Sequence, residues 1–155
     1  MPTPSGRSRY NVLGALNAIN HDLVTICNDA YINACTLCEL LTKIRKINVG
    51  KMPVTLILDN ARYQRCGLVM NLAKELKIEL LFLPSYSPNL NLIERLWKWV
   101  KKDCLYCKYY EDFSLFKTAI EGTLKKVATE NGKKELESLL TLNFQLYKNA
   151  KYNRL

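Results

Sequence analysis

Two short runs of strand-forming residues, VTLILD (Val54–Asp59) and IELLFL (Ile78–Leu83), bracket a helix-patterned stretch, GLVMNLAKELK (Gly67–Lys77). Both runs are apolar at nearly every position instead of at alternate ones. That is the pattern of a strand covered on both faces, typical of parallel pairing. Strand, helix and strand in this order make a β-α-β unit, and that unit is what most restricts the fold. It predicts two neighbouring strands whose carboxyl ends open on the same edge.

The rest of the chain supplies the surroundings. RYNVLGALNAI (Arg9–Ile19) and DLVTICN (Asp22–Asn28) read as two strands joined by the short polar turn NHD. NACTLCELLTKIRKI (Asn33–Ile47) reads as a helix with Leu37, Leu40, Leu41 and Ile44 on one face, ended by Asn48–Pro53. After the β-α-β unit, PSYSP is a loop, and a helix is predicted to start near Ser87 with Pro88 in its first turn. Its apolar face is Ile93, Leu96, Trp97 and Val100. Two more helices are predicted near Ser114–Thr129 and Lys133–Tyr147. The order indicates an α/β chain, a mixed sheet with helices on its faces. The expected division is a flexible arm at 1–8, one domain at 9–147 and a basic tail at 148–155.

A length of 155 residues suits one domain with a real core. No apolar run approaches the roughly 20 residues that span a bilayer, and the start, MPTPSGRSRY, lacks the apolar core of a signal peptide. The six cysteines therefore read as reduced thiols of a cytoplasmic protein, nucleoid-associated when on DNA. The net charge is +9, and residues 95–155 carry thirteen basic against seven acidic residues. Such an excess suits a polyanion partner, because neutralising phosphates releases condensed counterions. A solvated basic surface accounts for the charge equally well.

Two acids stand out. Asp59 ends the first buried run, and the carboxyl ends of strands are where open α/β sheets build ligand sites. Taken alone it is better read as turn chemistry, since Asp-Asn commonly follows a strand. Glu94 falls in the first turns of a helix, where the dipole favours an acid, and precedes Lys98 by four, the spacing of a surface ion pair. It too is unremarkable alone. The pair says more, because the loop after Ile78–Leu83 can carry the next helix across the edge where Asp59 lies. Two carboxylates held together repel unless a cation sits between them. Oxygen ligands without His or thiolate suit Mg²⁺ or Mn²⁺, which serve phosphodiester chemistry. Lys98, Lys101 and Lys102 on the same helix could track phosphates, and Arg62 and Arg65, close after Asp59, could contact them.

LILDNARYQ followed by LPSYSPNLNLIERLWKWVKK resembles the catalytic domain of mariner-like bacterial insertion-sequence transposases, members of the DDE superfamily of RNase H-like nucleases. The likeness runs over about residues 5–147. It implies an RNase H-like fold and makes Asp59 and Glu94 two of three metal-binding acids. The 34 residues between them are similar to the family's spacing. The implied activity is DNA cleavage and strand transfer with Mg²⁺ or Mn²⁺. The implied partners are transposon ends and target DNA, with a homodimer as a further expected assembly.

The family's first acid lies on a strand upstream of the stretch GRSRYNVLG. Here only MPTPS precedes it, and no Asp or Glu occurs before Asp22. The expectation is a sheet lacking its first, central strand, inactive alone, with an upstream transposase polypeptide supplying strand and acid. Two rivals remain: a non-catalytic DNA-binding or regulatory remnant of a transposase, and an unrelated α/β domain using Asp59 as a phosphatase does. Many relatives also carry a His shortly after the second acid, where this chain reads Ala61-Arg62-Tyr63-Gln64.

Other signals carry less. Cys35-x-x-Cys38 and Cys104-x-x-Cys107 have a zinc-like spacing but no knuckle residues, and packing is the usual role of cysteines on a helix. Trp97 falls on an apolar face, while Trp99 lies nearer its edge, where it could stack on a base.

Overall fold

A computed structural model describes residues 8–50, 52–84 and 88–144. β1 (Asn11–Leu16) and β2 (Leu23–Asn28) form an antiparallel hairpin. Its loop is longer than the three-residue turn expected. Asn17 builds it: its N–H donates to the Asp22 carbonyl at 2.8 Å, and its Oδ1 accepts from the N–H groups of Ile19 and Asn20.

α1 (Ala34–Ile47) is capped by Asn33, whose Oδ1 accepts from the Thr36 N–H at 3.1 Å. It buries the four apolar residues its periodicity predicted. β3 (Val54–Leu58), α2 (Gly67–Glu75) and β4 (Ile78–Phe82) make the predicted β-α-β unit, with β3 and β4 parallel and Leu56 opposite Leu80. Arg45 of α1 ties the segments together, donating to the carbonyls of Asn48, Met52 and Lys77.

α3 (Leu92–Cys104) starts later than the sequence suggested. Pro88–Leu90 coils into a 3-10 turn and Asn91 stays extended, so the α-helix opens only at Leu92; Ser87 lies outside the described residues. α4 (Phe113–Val127) follows, then α5 (Glu130–Glu137), which ends short of the predicted Tyr147. Residues 145–155, the tail among them, and the arm up to Arg7 also lie outside the described residues.

The strands make two two-stranded sheets, β1–β2 and β3–β4, where one mixed sheet was expected. Both sheets share a core beneath α1 and α2, containing Ile26, Leu37, Leu40, Leu41, Leu58, Val69 and Ile78. A second core lies on the other face of the hairpin, where Leu96, Val100, Leu124 and Leu136 of the last three helices meet Val12 and Leu16.

The expectation that β3 and β4 are covered on both faces fails. Thr55, Ile57, Glu79 and Leu81 all face outward, with Ile57 48% and Leu81 47% exposed. α3 sits on β1, against Gly14.

Neither sheet has a third strand, so its outer edges lack a strand partner among the described residues, those of β1 and β3 included. Bonding alternates along an antiparallel pair. The Asn17–Asp22 bond places Leu13 and Ala15 in the bonded register, so the N–H and C=O groups of Val12, Gly14 and Leu16 point away from β2. Thr25, opposite Gly14, points outward on the other edge, and there Lys43 Nζ caps its carbonyl at 3.3 Å. In β3 the Leu58 carbonyl accepts from Leu83 N–H, so the backbone groups of Thr55 and Ile57 point away from β4. Among the described residues no strand pairs with the outer edge of β1 or of β3.

Candidate active site

Asp59 directly follows β3 and is exposed. Asn60 then turns through a left-handed φ of 74°, a conformation Asn tolerates better than most residues. A 3-10 turn over Arg62–Arg65 folds the loop back. The turn brings in Gln64, which is only 4% exposed. Its Oε1 accepts from Ala61 N–H at 2.9 Å, and its Nε2 donates to Asp59 Oδ1 at 2.6 Å. Burial holds the Tyr63 hydroxyl above the usual phenol range; the Gln64 side chain opposes this and the nearby Asp59 charge adds to it.

The two arginines differ. Arg65 Nε donates to Asn60 Oδ1, and its guanidinium lies 4.3 Å from the Phe82 ring centroid, so it clasps the loop to the end of β4. Arg62 is exposed and makes no ion pair among the described residues.

Leu83 N–H bonds the Leu58 carbonyl at 2.8 Å, so the chain leaves β4 at the end of the sheet where Asp59 stands. From there it runs to α3, whose first turn contains Glu94. Glu94 is half-buried. Among the described residues no side chain bonds or pairs with its carboxylate, so the ion pair suggested by Lys98 four residues on is not formed. Lys98, Lys101 and Lys102 are exposed and likewise unpaired among the described residues.

Next to Glu94, Arg95 has a different task. It donates to the carbonyls of Leu139, Thr141 and Asn143 and lies over the Phe144 ring, holding the segment after α5. Trp97 packs on β1, and the Trp99 ring is occupied by Lys126 Nζ at 5.0 Å. In the Tyr109–Phe113 region, Phe113 stacks on Phe116, and Tyr110 meets Phe116 edge-on.

Asp59 and Glu94 offer carboxylate oxygens, the donor type that Mg²⁺ and Mn²⁺ take. In number they fall short: among the described residues no three His, Cys, Asp or Glu side chains group so as to hold a metal ion. The cysteines are free thiols.

The family model described as DDE superfamily endonuclease matches residues 2–117, from before β1 into α4. The chain belongs to the DDE superfamily of endonucleases. No curated protein matches it. Endonucleases of this superfamily act on DNA and use divalent metal ions. No helix among the described residues of this DDE domain is long and apolar enough to cross a membrane.

Gln64 is the residue that sequence reasoning passed over, noting it only where relatives carry His. The letters carried no capping-box signature, because Ala61 lacks the side-chain oxygen of its first half, although Gln64 supplies the reciprocal half by accepting from Ala61 N–H.

Proposed function

We propose that this DDE domain is the larger part of a transposase catalytic domain of RNase H-like type. It cuts and joins DNA, with Asp59 and Glu94 as two of three metal-binding acids. The observation that carries this is the pairing of the family match with two available carboxylates. One is at the end of β3 and held by Gln64, and the other is in α3 with no partner among the described residues.

Asp59 and Glu94 would hold Mg²⁺ or Mn²⁺, which supplies an activated oxygen nucleophile and stabilises the leaving oxygen in phosphodiester chemistry. The protein's own part is positional. Gln64 restrains Asp59, α3 carries Glu94, and Lys98, Lys101 and Lys102 line one helix on which DNA phosphates can lie. Arg62, three residues after Asp59, is a loop cation with no ion pair among the described residues. The third acid arrives on a strand from an upstream transposase polypeptide, pairing with the open edges at Val12–Leu16 and Thr55–Ile57. Assembly as a homodimer on paired transposon ends belongs to the same reading.

The two unjoined sheets and the donor count favour a second reading, a non-catalytic DNA-binding remnant. A nicking assay separates the two. Residues 1–155 alone should leave supercoiled plasmid intact in Mn²⁺, and nicking should appear when the upstream polypeptide is added and vanish with Asp59→Ala. Continued inactivity in its presence supports the remnant. Robust nicking by the chain alone, abolished by Asp59→Ala, would refute the need for a third acid from elsewhere.

A further inference from the structure

We infer that Gln64 is a positioning residue for the Asp59 carboxylate, holding one oxygen so that the other is presented to a divalent cation. The inference rests on the reading of Asp59 as a metal ligand.

The geometry leaves Gln64 one orientation. Amide oxygen and nitrogen are told apart by their partners. Ala61 N–H at 2.9 Å can only donate, so the atom it meets must be the Gln64 oxygen. The NH₂ end is then turned toward Asp59 Oδ1, at 2.6 Å. Gln64 is nearly fully buried, so an unmade bond at either end would be costly and the side chain has little freedom to leave. Asp59 is exposed and would otherwise sample several rotamers. A buried donor with a fixed direction selects among them.

A loop lock alone would need only the bond to Ala61. The second bond reaches past the loop to the carboxylate proposed to hold metal. Partners that orient metal-ligating groups typically contribute 10- to 100-fold in metal affinity. Asn60 and Arg65 set the same loop through their own bond and the Phe82 ring, so the loop keeps two fastenings if Gln64 is replaced.

The test is Mn²⁺ affinity of the whole chain, read by water-proton relaxation, alongside the melting temperature of the metal-free protein. Gln64→Met should raise the Mn²⁺ Kd roughly tenfold or more. Asp59→Asn should remove most binding, and adding Gln64→Met to it should change nothing further. If Asp59→Asn leaves the Kd unchanged, the metal-site reading fails and Gln64 falls with it. If Asp59→Asn abolishes binding but Gln64→Met stays within twofold of the parent, with only the melting temperature lowered, Gln64 is a loop lock and the inference is overturned while the site stands. Should Gln64→Met fail to melt cooperatively, Gln64→Glu serves. It keeps the acceptor for Ala61 but replaces the donor by an anion, so its Kd should shift more than threefold, and a shift below twofold again overturns the inference.

Discussion

A Cβ atom added to Gly14 would lie 2.8 Å from two ring carbons of Trp97 and 3.3 Å from Cδ1 of Ile93. The hairpin backbone and the face of α3 are therefore in direct contact, and only a residue without a side chain fits between them. Because Glu94 follows Ile93, this contact also sets where the second acid stands. Gly14→Val should destabilise the domain by about 1–3 kcal/mol through overpacking, seen as a lower urea midpoint. Adding Trp97→Leu should recover part of the loss, whereas strictly additive losses would show that the two residues do not touch.

Arg95 binds three carbonyls beyond α5. Arg95→Met keeps the stem and deletes the donors, so it should cost about 1.5–3 kcal/mol, the range for hydrogen bonds from a charged group. Hydrogen exchange should speed up at residues 139–144 and stay slow in α1. Uniform acceleration across the chain would instead mean that Arg95 supports the whole fold.

Ile57 is outward-facing on a strand with an open edge, and Leu81 lies beside it. Exposed apolar edges recruit other strands. The purified chain should self-associate with rising concentration, and Ile57→Lys should suppress this in light scattering without lowering the melting temperature. Association unchanged by Ile57→Lys would place the contact elsewhere.

Lys98, Lys101 and Lys102 are exposed and have no acidic partner among the described residues. If they contact phosphates, replacing all three by Gln should weaken binding to random-sequence duplex DNA. It should also reduce the slope of log K against log salt by roughly 2 to 3. An unchanged slope would remove them from the interface.

The β-α-β unit, the buried face of α1 and the position of Asp59 at a strand end were all legible, because each depends on residues near in sequence. The coverage of β3 was not. An all-apolar run says that both faces prefer burial, but whether a helix reaches the second face depends on how distant segments dock, and α3 sits on β1. The start of α3 was misjudged because Pro88 serves the first turn of a 3-10 coil as readily as that of an α-helix. The Asp59–Gln64 bond was missed because it needs the left-handed turn at Asn60, which nothing in the letters required. The edges of β1 and β3 are unpaired among the described residues, and the expectation of an absent central strand came from resemblance, not from periodicity.

The central claim is that Asp59 and Glu94 serve one metal site, and a double-mutant cycle on Mn²⁺ binding tests it most directly. Mn²⁺ affinity would be measured for the parent, Asp59→Ala, Glu94→Ala and the double variant, each checked for cooperative melting. A shared site predicts that either single change removes nearly all binding and that the double variant is no weaker than the singles. Independent, additive losses, or binding that survives both changes, would contradict it.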